Sequence, residues 1–356
     1  MFDEPSSGSA RPRHLVIGVA AAVIVGVAVV TGVGTVAGFA DLTRTVKAAD
    51  FRWLAVCALG ETAVFVGYAG TLRCAAGADD GPRLGALTSL RIVLASFAAT
   101  QLVAFAGAAG LALVYWSFRR VGLDRHTAVV RVIGLNTAVY FVFGGVGAAG
   151  AAWALLAGGA PLGMTLPWLA AFPLIVVVAR WFTDVERVGR WTVGERNGAD
   201  DEPGVGALRL AMGTGVEAAA WVRTATGSRN LQPMFGWAAL YWIGDIASLW
   251  AALEAFGSSP GLGVLVSVYA TGYLAQTLPI PFIATGGVDA ATAFLLHSVG
   301  VPLETALAAV VMHRVFAFWI PVVPGAVFAT TLIGLGNNHG DHTDAPERET
   351  APHPER

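Results

Sequence analysis

The stretch Leu278-Pro279-Ile280-Pro281-Phe282-Ile283-Ala284-Thr285-Gly286-Gly287-Val288-Asp289 opens a region that runs to Gly325. After a short apolar run it continues through Val299-Gly300-Val301-Pro302-Leu303-Glu304. It closes on His313-Arg314-Val315-Phe316-Ala317-Phe318-Trp319-Ile320-Pro321-Val322-Val323-Pro324-Gly325. Pro279, Pro281, Gly286 and Gly287 interrupt a helix inside a hydrophobic region, where lipid penalises unpaired backbone. Such breaks are tolerated where protein or a watery cavity surrounds them, and substrate sites often lie there. Asp289 and Arg314 add ionisable groups to the same region. A charge at the centre of a membrane helix costs about 2.5–3.5 kcal/mol on insertion scales, so each is expected to face a partner or a cavity.

The rest of the 356-residue chain agrees with a membrane setting. It is 55% hydrophobic and only 13% charged, against about 25% charged in soluble domains. The apolar runs are continuous, which points to helices and not to the short alternating strands of a barrel. The fold class expected is an all-α polytopic membrane protein. A net charge of −2 gives no reason to expect nucleic acid as a partner. Lys47 is the single lysine beside abundant Ala, Gly and Arg, a composition with the character of a GC-rich bacterial coding bias. The expected location is a bacterial inner membrane. Cys57 and Cys74 fall at the two ends of one expected helix, so neither a disulfide nor a metal site follows from them.

Residues 1–14 are polar, and the apolar run from Leu15 to Ala40 exceeds the roughly 7–15 residues of a signal-peptide core. It reads as a retained first helix. Further apolar segments follow at 53–72, 85–102, 103–118, 127–157, 161–180, 233–254, 261–281, 283–298 and 305–335, about eight long helices in all. The segments 103–118 and 283–298 are short of the roughly 20 residues a span requires and rich in glycine. They read as broken or re-entrant pieces entering from opposite sides. This gives a cytoplasmic N-terminus over 1–14, an integral membrane domain over 15–336 and a disordered polar tail over 337–356. Residues 204–226 read as an interfacial helix within a cytoplasmic loop over 181–232.

The chain also matches itself. At an offset of 178 residues Val121-Gly122 falls on Val299-Gly300, Thr127-Ala128 on Thr305-Ala306, Val132 on Val310, and Gly147-Ala148 on Gly325-Ala326. Asn136 falls on Arg314. An internal repeat over about 51–157 and 233–335 is expected, a mark of transporter folds. Arginines crowd the loops near 73–83, 119–125 and 181–232, while those near 158–160, 255–262 and 299–304 have none. With the basic loops inside, both termini are cytoplasmic and the repeats are inverted. The loop over 41–52, with Arg44, Lys47 and Arg52, runs against this scheme.

The paired prolines, the glycines, the acidic residue, Gly-Val, then arginine and Phe-Trp-x-Pro resemble the lysylphosphatidylglycerol synthase transmembrane-region family, also called the flippase-like domain. Phe282, Ile283 and Ala284 stand where many relatives carry Pro-Gly-Gly. The resemblance implies a flippase-like membrane protein that handles an anionic lipid or polyprenyl-linked head group. It also implies a family arginine at Arg314 and an often acidic position at Asp245. No aminoacyl-transferase stretch accompanies it, so lysyl transfer is not expected.

Arg314 lies near mid-membrane and suits a lipid phosphate or carboxylate; the alternative is a structural pair with Asp245 or Asp289. Asp245 is expected as its counter-ion. Asp289, after Gly286-Gly287, either caps the short helix beginning there or serves the cavity. Glu61, Arg91 and Arg131 are first-half counterparts in kind. A buried Glu61–Arg91 pair is the plain reading, and Arg91 or Arg131 would otherwise join Arg314 on the phosphate. His297 and His313 read as polar contacts near helix ends before they read as proton carriers. No phosphate loop, nucleophile elbow or metal-ligand motif is present, so no cofactor is expected and an enzyme is the weaker expectation. The rival functions are a membrane transferase using a lipid-phosphate donor, with Asp289 or Glu61 as acid or base, and a non-catalytic partner of cell-envelope synthesis enzymes.

Overall fold

A computed structural model describes residues 47, 49–102, 108–157, 159, 161–183, 203–274 and 283–329. The expected first helix, the tail, the stretch 103–107 and the Pro279–Pro281 break lie outside the described residues. Those residues form helices and no strand. They are α1 Trp53–Ala76, α2 Ala86–Leu102, α3 Ala108–Arg120, α4 Arg125–Leu156 and α5 Leu162–Phe182 in the first half. Then come α6 Pro203–Gly227, α7 Gln232–Ala255, α8 Leu262–Tyr273, α9 Ile283–Ser298 and α10 Leu303–Arg314. A π turn over Val315–Trp319 carries α10 on to Ala329. The helices α1, α4, α5 and the extended α10 are long and apolar enough to cross a membrane. The protein is an all-α polytopic membrane protein.

Local chemistry sets many of the helix ends. Pro161 and Pro302 precede α5 and α10, and a proline lies in the first turn of α7, where a missing N–H costs nothing. Asp124 caps α4 by accepting the Thr127 N–H at 3.0 Å. The π turn stops just before Pro321, whose ring cannot donate to the carbonyl four residues back. On α5 Leu166, Leu174, Ile175, Val177 and Val178 are exposed, an apolar face suited to lipid. Residues 204–226 are helical as expected, but α6 is also packed into the bundle. Ala218, Val222 and Ala225 are buried, Glu217 meets His126 at 3.1 Å, and Arg223 donates to the Thr183 carbonyl.

Helices α1 and α7 form the central pair and lie backbone to backbone. A Cβ on Gly60 would sit 2.6 Å from the Gly244 carbonyl oxygen, and one on Gly67 2.6 Å from the Tyr241 nitrogen. Cys57 reaches the Ser248 carbonyl. Numbers rise along one helix as they fall along the other, so the two run antiparallel. Small residues at such a crossing let two membrane helices approach closely.

The offset of 178 recurs in these elements. Added to the starts of α1, α2, α3 and α4 it gives 231, 264, 286 and 303, against observed starts at 232, 262, 283 and 303. The turn between α3 and α4 repeats bond for bond between α9 and α10. Val121, Gly122 and Leu123 donate to the carbonyls of Ser117, Arg119 and Phe118. Val299, Gly300 and Val301 donate to those of Leu295, His297 and Leu296. Gly122 and Gly300 both adopt a left-handed φ, +100° and +97°, which glycine alone takes without strain.

Candidate functional site

The two glycines at the α1–α7 crossing are each followed by an acid, Gly60-Glu61 and Gly244-Asp245. Close approach of the helices therefore brings two carboxylates to one level of the bundle. His313 of α10 enters between them. Its Nδ1 lies 3.5 Å from Glu61 Oε1 and its Nε2 3.3 Å from Asp245 Oδ1. Ser248 Oγ is 3.2 Å from Nδ1, and the Tyr269 hydroxyl of α8 donates to Asp245 Oδ2. Glu61, Asp245 and His313 are enclosed, their side chains 7, 13 and 12% exposed. An aromatic wall of Phe143, Trp242, Tyr269 and Tyr273 stands beside them, with Trp242 and Tyr273 rings 5.0 Å apart.

One residue further along α10, Arg314 turns to α9. Its Nε is 3.3 Å from Asp289 Oδ2, and its guanidinium lies 4.9 Å over the Phe318 ring, within the π turn. Arg314 keeps a quarter of its side-chain surface exposed.

The sequence-expected residues divide in this frame. Arg314 and Asp289 come together; Glu61 and Asp245 come together beside them. Asp245 is not seated as the counter-ion of Arg314, because its two oxygens are turned to His313 and Tyr269. Asp289 does not cap α9: the helix begins at Ile283, so Asp289 lies in its second turn with Gly286 and Gly287 just ahead of it in the helix. The Glu61–Arg91 pair does not form. Glu61 faces inward against α10, whereas Arg91 is exposed on α2 with its guanidinium 5.7 Å over Phe328.

Arg131 is buried and donates to the carbonyls of Ala76 and Ala78 at 2.7 Å each. Asn136 donates to the Val132 carbonyl and accepts from the Tyr68 hydroxyl at 3.3 Å. Pro279 and Pro281 lie outside the described residues. His297 is a helix-end contact, its Nδ1 3.1 Å from the Val301 carbonyl. His313 is the residue the sequence undervalued, and Tyr269 and Ser248 were not singled out at all. The available signal was the pair of Gly-acid steps with a histidine next to the family arginine. Glu61, Asp245 and His313 also offer three ligand atoms within 4.8 Å of one another, a donor set a divalent cation accepts.

A sequence model of the lysylphosphatidylglycerol synthase TM region matches residues 23–325. No curated protein and no solved structure matches the chain.

Proposed function

The chain belongs to the lysylphosphatidylglycerol synthase TM region family, and from that premise we propose that it binds and translocates an anionic lipid or polyprenyl-linked head group. The observation that carries this reading is Arg314, an arginine within a membrane helix, paired with Asp289 yet a quarter exposed. A guanidinium fork matches phosphate or carboxylate geometry, and Asp289 holds the fork until an anion competes for it. The bacterial inner membrane is the proposed location.

The test is head-group movement in vesicles made with purified protein and a labelled anionic lipid. Arg314→Lys keeps the charge and loses the planar fork. It inserts and folds as wild type does and loses about 10- to 100-fold in rate, the worth of one charge-assisted hydrogen bond. Wild-type movement in this variant would sink the assignment of Arg314. Lipid recovered unaltered from the far leaflet supports translocation, whereas a covalently altered lipid would make the chain a transferase. Co-purification with cell-envelope enzymes and no lipid movement would favour the partner role.

A further inference from the structure

The trio Glu61, His313 and Asp245 touches the arginine site without belonging to it. A neutral imidazole carries one N–H and so satisfies only one of the two carboxylates that His313 faces. The other contact calls for a second proton, on the ring or on an acid. Glu61 Oε1, buried and 3.5 Å from Nδ1, has no hydrogen-bond partner, which marks where that proton belongs. Tyr269 occupies Asp245 Oδ2 and thereby dedicates Oδ1 to the ring.

Among the described residues the charged neighbours come as an ion pair. Around the trio Cys57 of α1, Tyr241 of α7 and Tyr269 and Tyr273 of α8 are neutral groups, and on α9 and α10 Asp289 and Arg314 pair with each other. Two ionised carboxylates beside a neutral ring would leave two uncompensated charges at membrane depth, which a shared proton relieves. A metal is the poorer occupant. It takes one nitrogen of an imidazole, and here Nε2 faces Asp245 while Nδ1 faces Ser248 and Glu61.

We infer that Glu61, His313 and Asp245 form a proton-binding relay whose loading is coupled to the head group held at Arg314. The inference rests on the lipid-translocation reading above. A proton on Glu61 Oε1 passes to Nδ1 as Nε2 gives its own to Asp245 Oδ1. The ring changes tautomer and keeps its charge, Glu61 loses one proton and Asp245 gains one, and when the site opens water reloads Glu61 and takes the proton from Asp245. His313 and Arg314 are consecutive on one helical turn, so neither moves without the other. The π turn that follows is where α10 can shift register, and π turns collect at functional sites. One residue of shift turns the helix by about 100° and would re-aim both side chains together.

Two measurements decide this. Infrared difference spectra of the full chain in nanodiscs, taken across a pH step, are expected to show a carboxylic-acid C=O band that shifts in D2O. Glu61→Gln or Asp245→Asn removes it. Its absence from wild type, where folding is not in question, overturns the relay. Stoichiometric zinc binding lost in the same two variants also overturns it and makes the trio a metal site.

The second measurement uses phosphatidylcholine vesicles with a trace of fluorescent phosphatidylglycerol and an imposed pH gradient. The label accumulates in one leaflet by up to about tenfold per pH unit, the 1.36 kcal/mol that one coupled proton supplies. A protonophore abolishes this, and in His313→Gln the gradient no longer biases the label. Lipid movement indifferent to the gradient in wild type overturns the coupling. No lipid movement in wild type sinks the translocation reading and the coupling with it, while the spectrum still decides the relay.

Discussion

Arg131 and Arg314 are both arginines inside apolar helices, and the structure gives them opposite work. Arg131 is buried and spends its guanidinium on the carbonyls of Ala76 and Ala78, at the end of α1 and just beyond it, with the Asp79 carboxylate 3.7 Å away. Arg131→Gln is expected to lower stability by about 2–4 kcal/mol, the loss of charge-assisted bonds from buried acceptors. Lipid movement per folded molecule stays as in wild type; thermal unfolding in detergent beside the vesicle assay separates the two. Arg314→Gln reverses the pattern. Its neighbour Asp289 lies at the more open edge of the site, so the melting curve changes little while lipid movement is abolished. A large loss of stability there, of the roughly 3–5 kcal/mol that follows from breaking a buried pair, would make Arg314 structural. The sequence could not tell these arginines apart, because both lie well inside apolar runs. What distinguishes them is burial and backbone contact: Arg131 is 6% exposed and held by two backbone carbonyls, whereas Arg314 is a quarter exposed beside Asp289, and that is settled by neighbours far away in the chain.

The α1–α7 crossing is the element on which the site depends, since its closeness is what lets His313 touch both acids. On α7 a methyl at Gly244 would collide with the Gly60 carbonyl region, whereas one at Gly236 meets nothing within 4 Å. Gly244→Ala is therefore expected to destabilise by about 1–3 kcal/mol through overpacking, and to weaken lipid movement by parting Glu61 from Asp245. Gly236→Ala on the same helix is neutral or slightly stabilising, as alanine is the better helix former. Equal effects from the two changes would show that the crossing is not the constraint. Helix positions of this kind were legible in the sequence: 127–157, 161–180, 233–254 and 283–298 all appear as helices near those bounds, because long apolar runs and flanking prolines report themselves locally. Helix facing was not. Glu61 was assigned to Arg91 because both are lone charges in neighbouring helices. Only the glycine contacts reveal that Glu61 turns to α7 and α10. Of the expected segment 261–281, α8 covers Leu262–Tyr273, and residues 275–281 lie outside the described residues.

Among the described residues, α1–α4 and α7–α10 read as two copies of one arrangement with opposite direction. Helices α1 and α7 are equivalent at the offset of 178 and run antiparallel, so corresponding ends of the two halves lie at opposite ends of the bundle. The side chains agree: Leu123 belongs to the core cluster that holds Ala76 and Leu231, and its counterpart Val301 to the one that holds Cys57 and Leu253. The two glycine turns, which share three equivalent backbone hydrogen bonds, should then face opposite sides of the membrane. Charge says which is which. Arg119, Arg120 and Arg125 flank the first turn, while 299–304 carry no basic residue, so the first turn is predicted to be cytoplasmic. Arg120 and Ser298 are exposed and differ in number by 178, which makes them matched probes. In a Cys74→Ser background, with Cys57 buried, Arg120→Cys is expected to react with a membrane-impermeant maleimide only after the cells are opened. Ser298→Cys should react in intact cells. Labelling of both from the same side would refute the inverted arrangement, and labelling with the sides exchanged would leave the arrangement standing and overturn the charge argument that orients it.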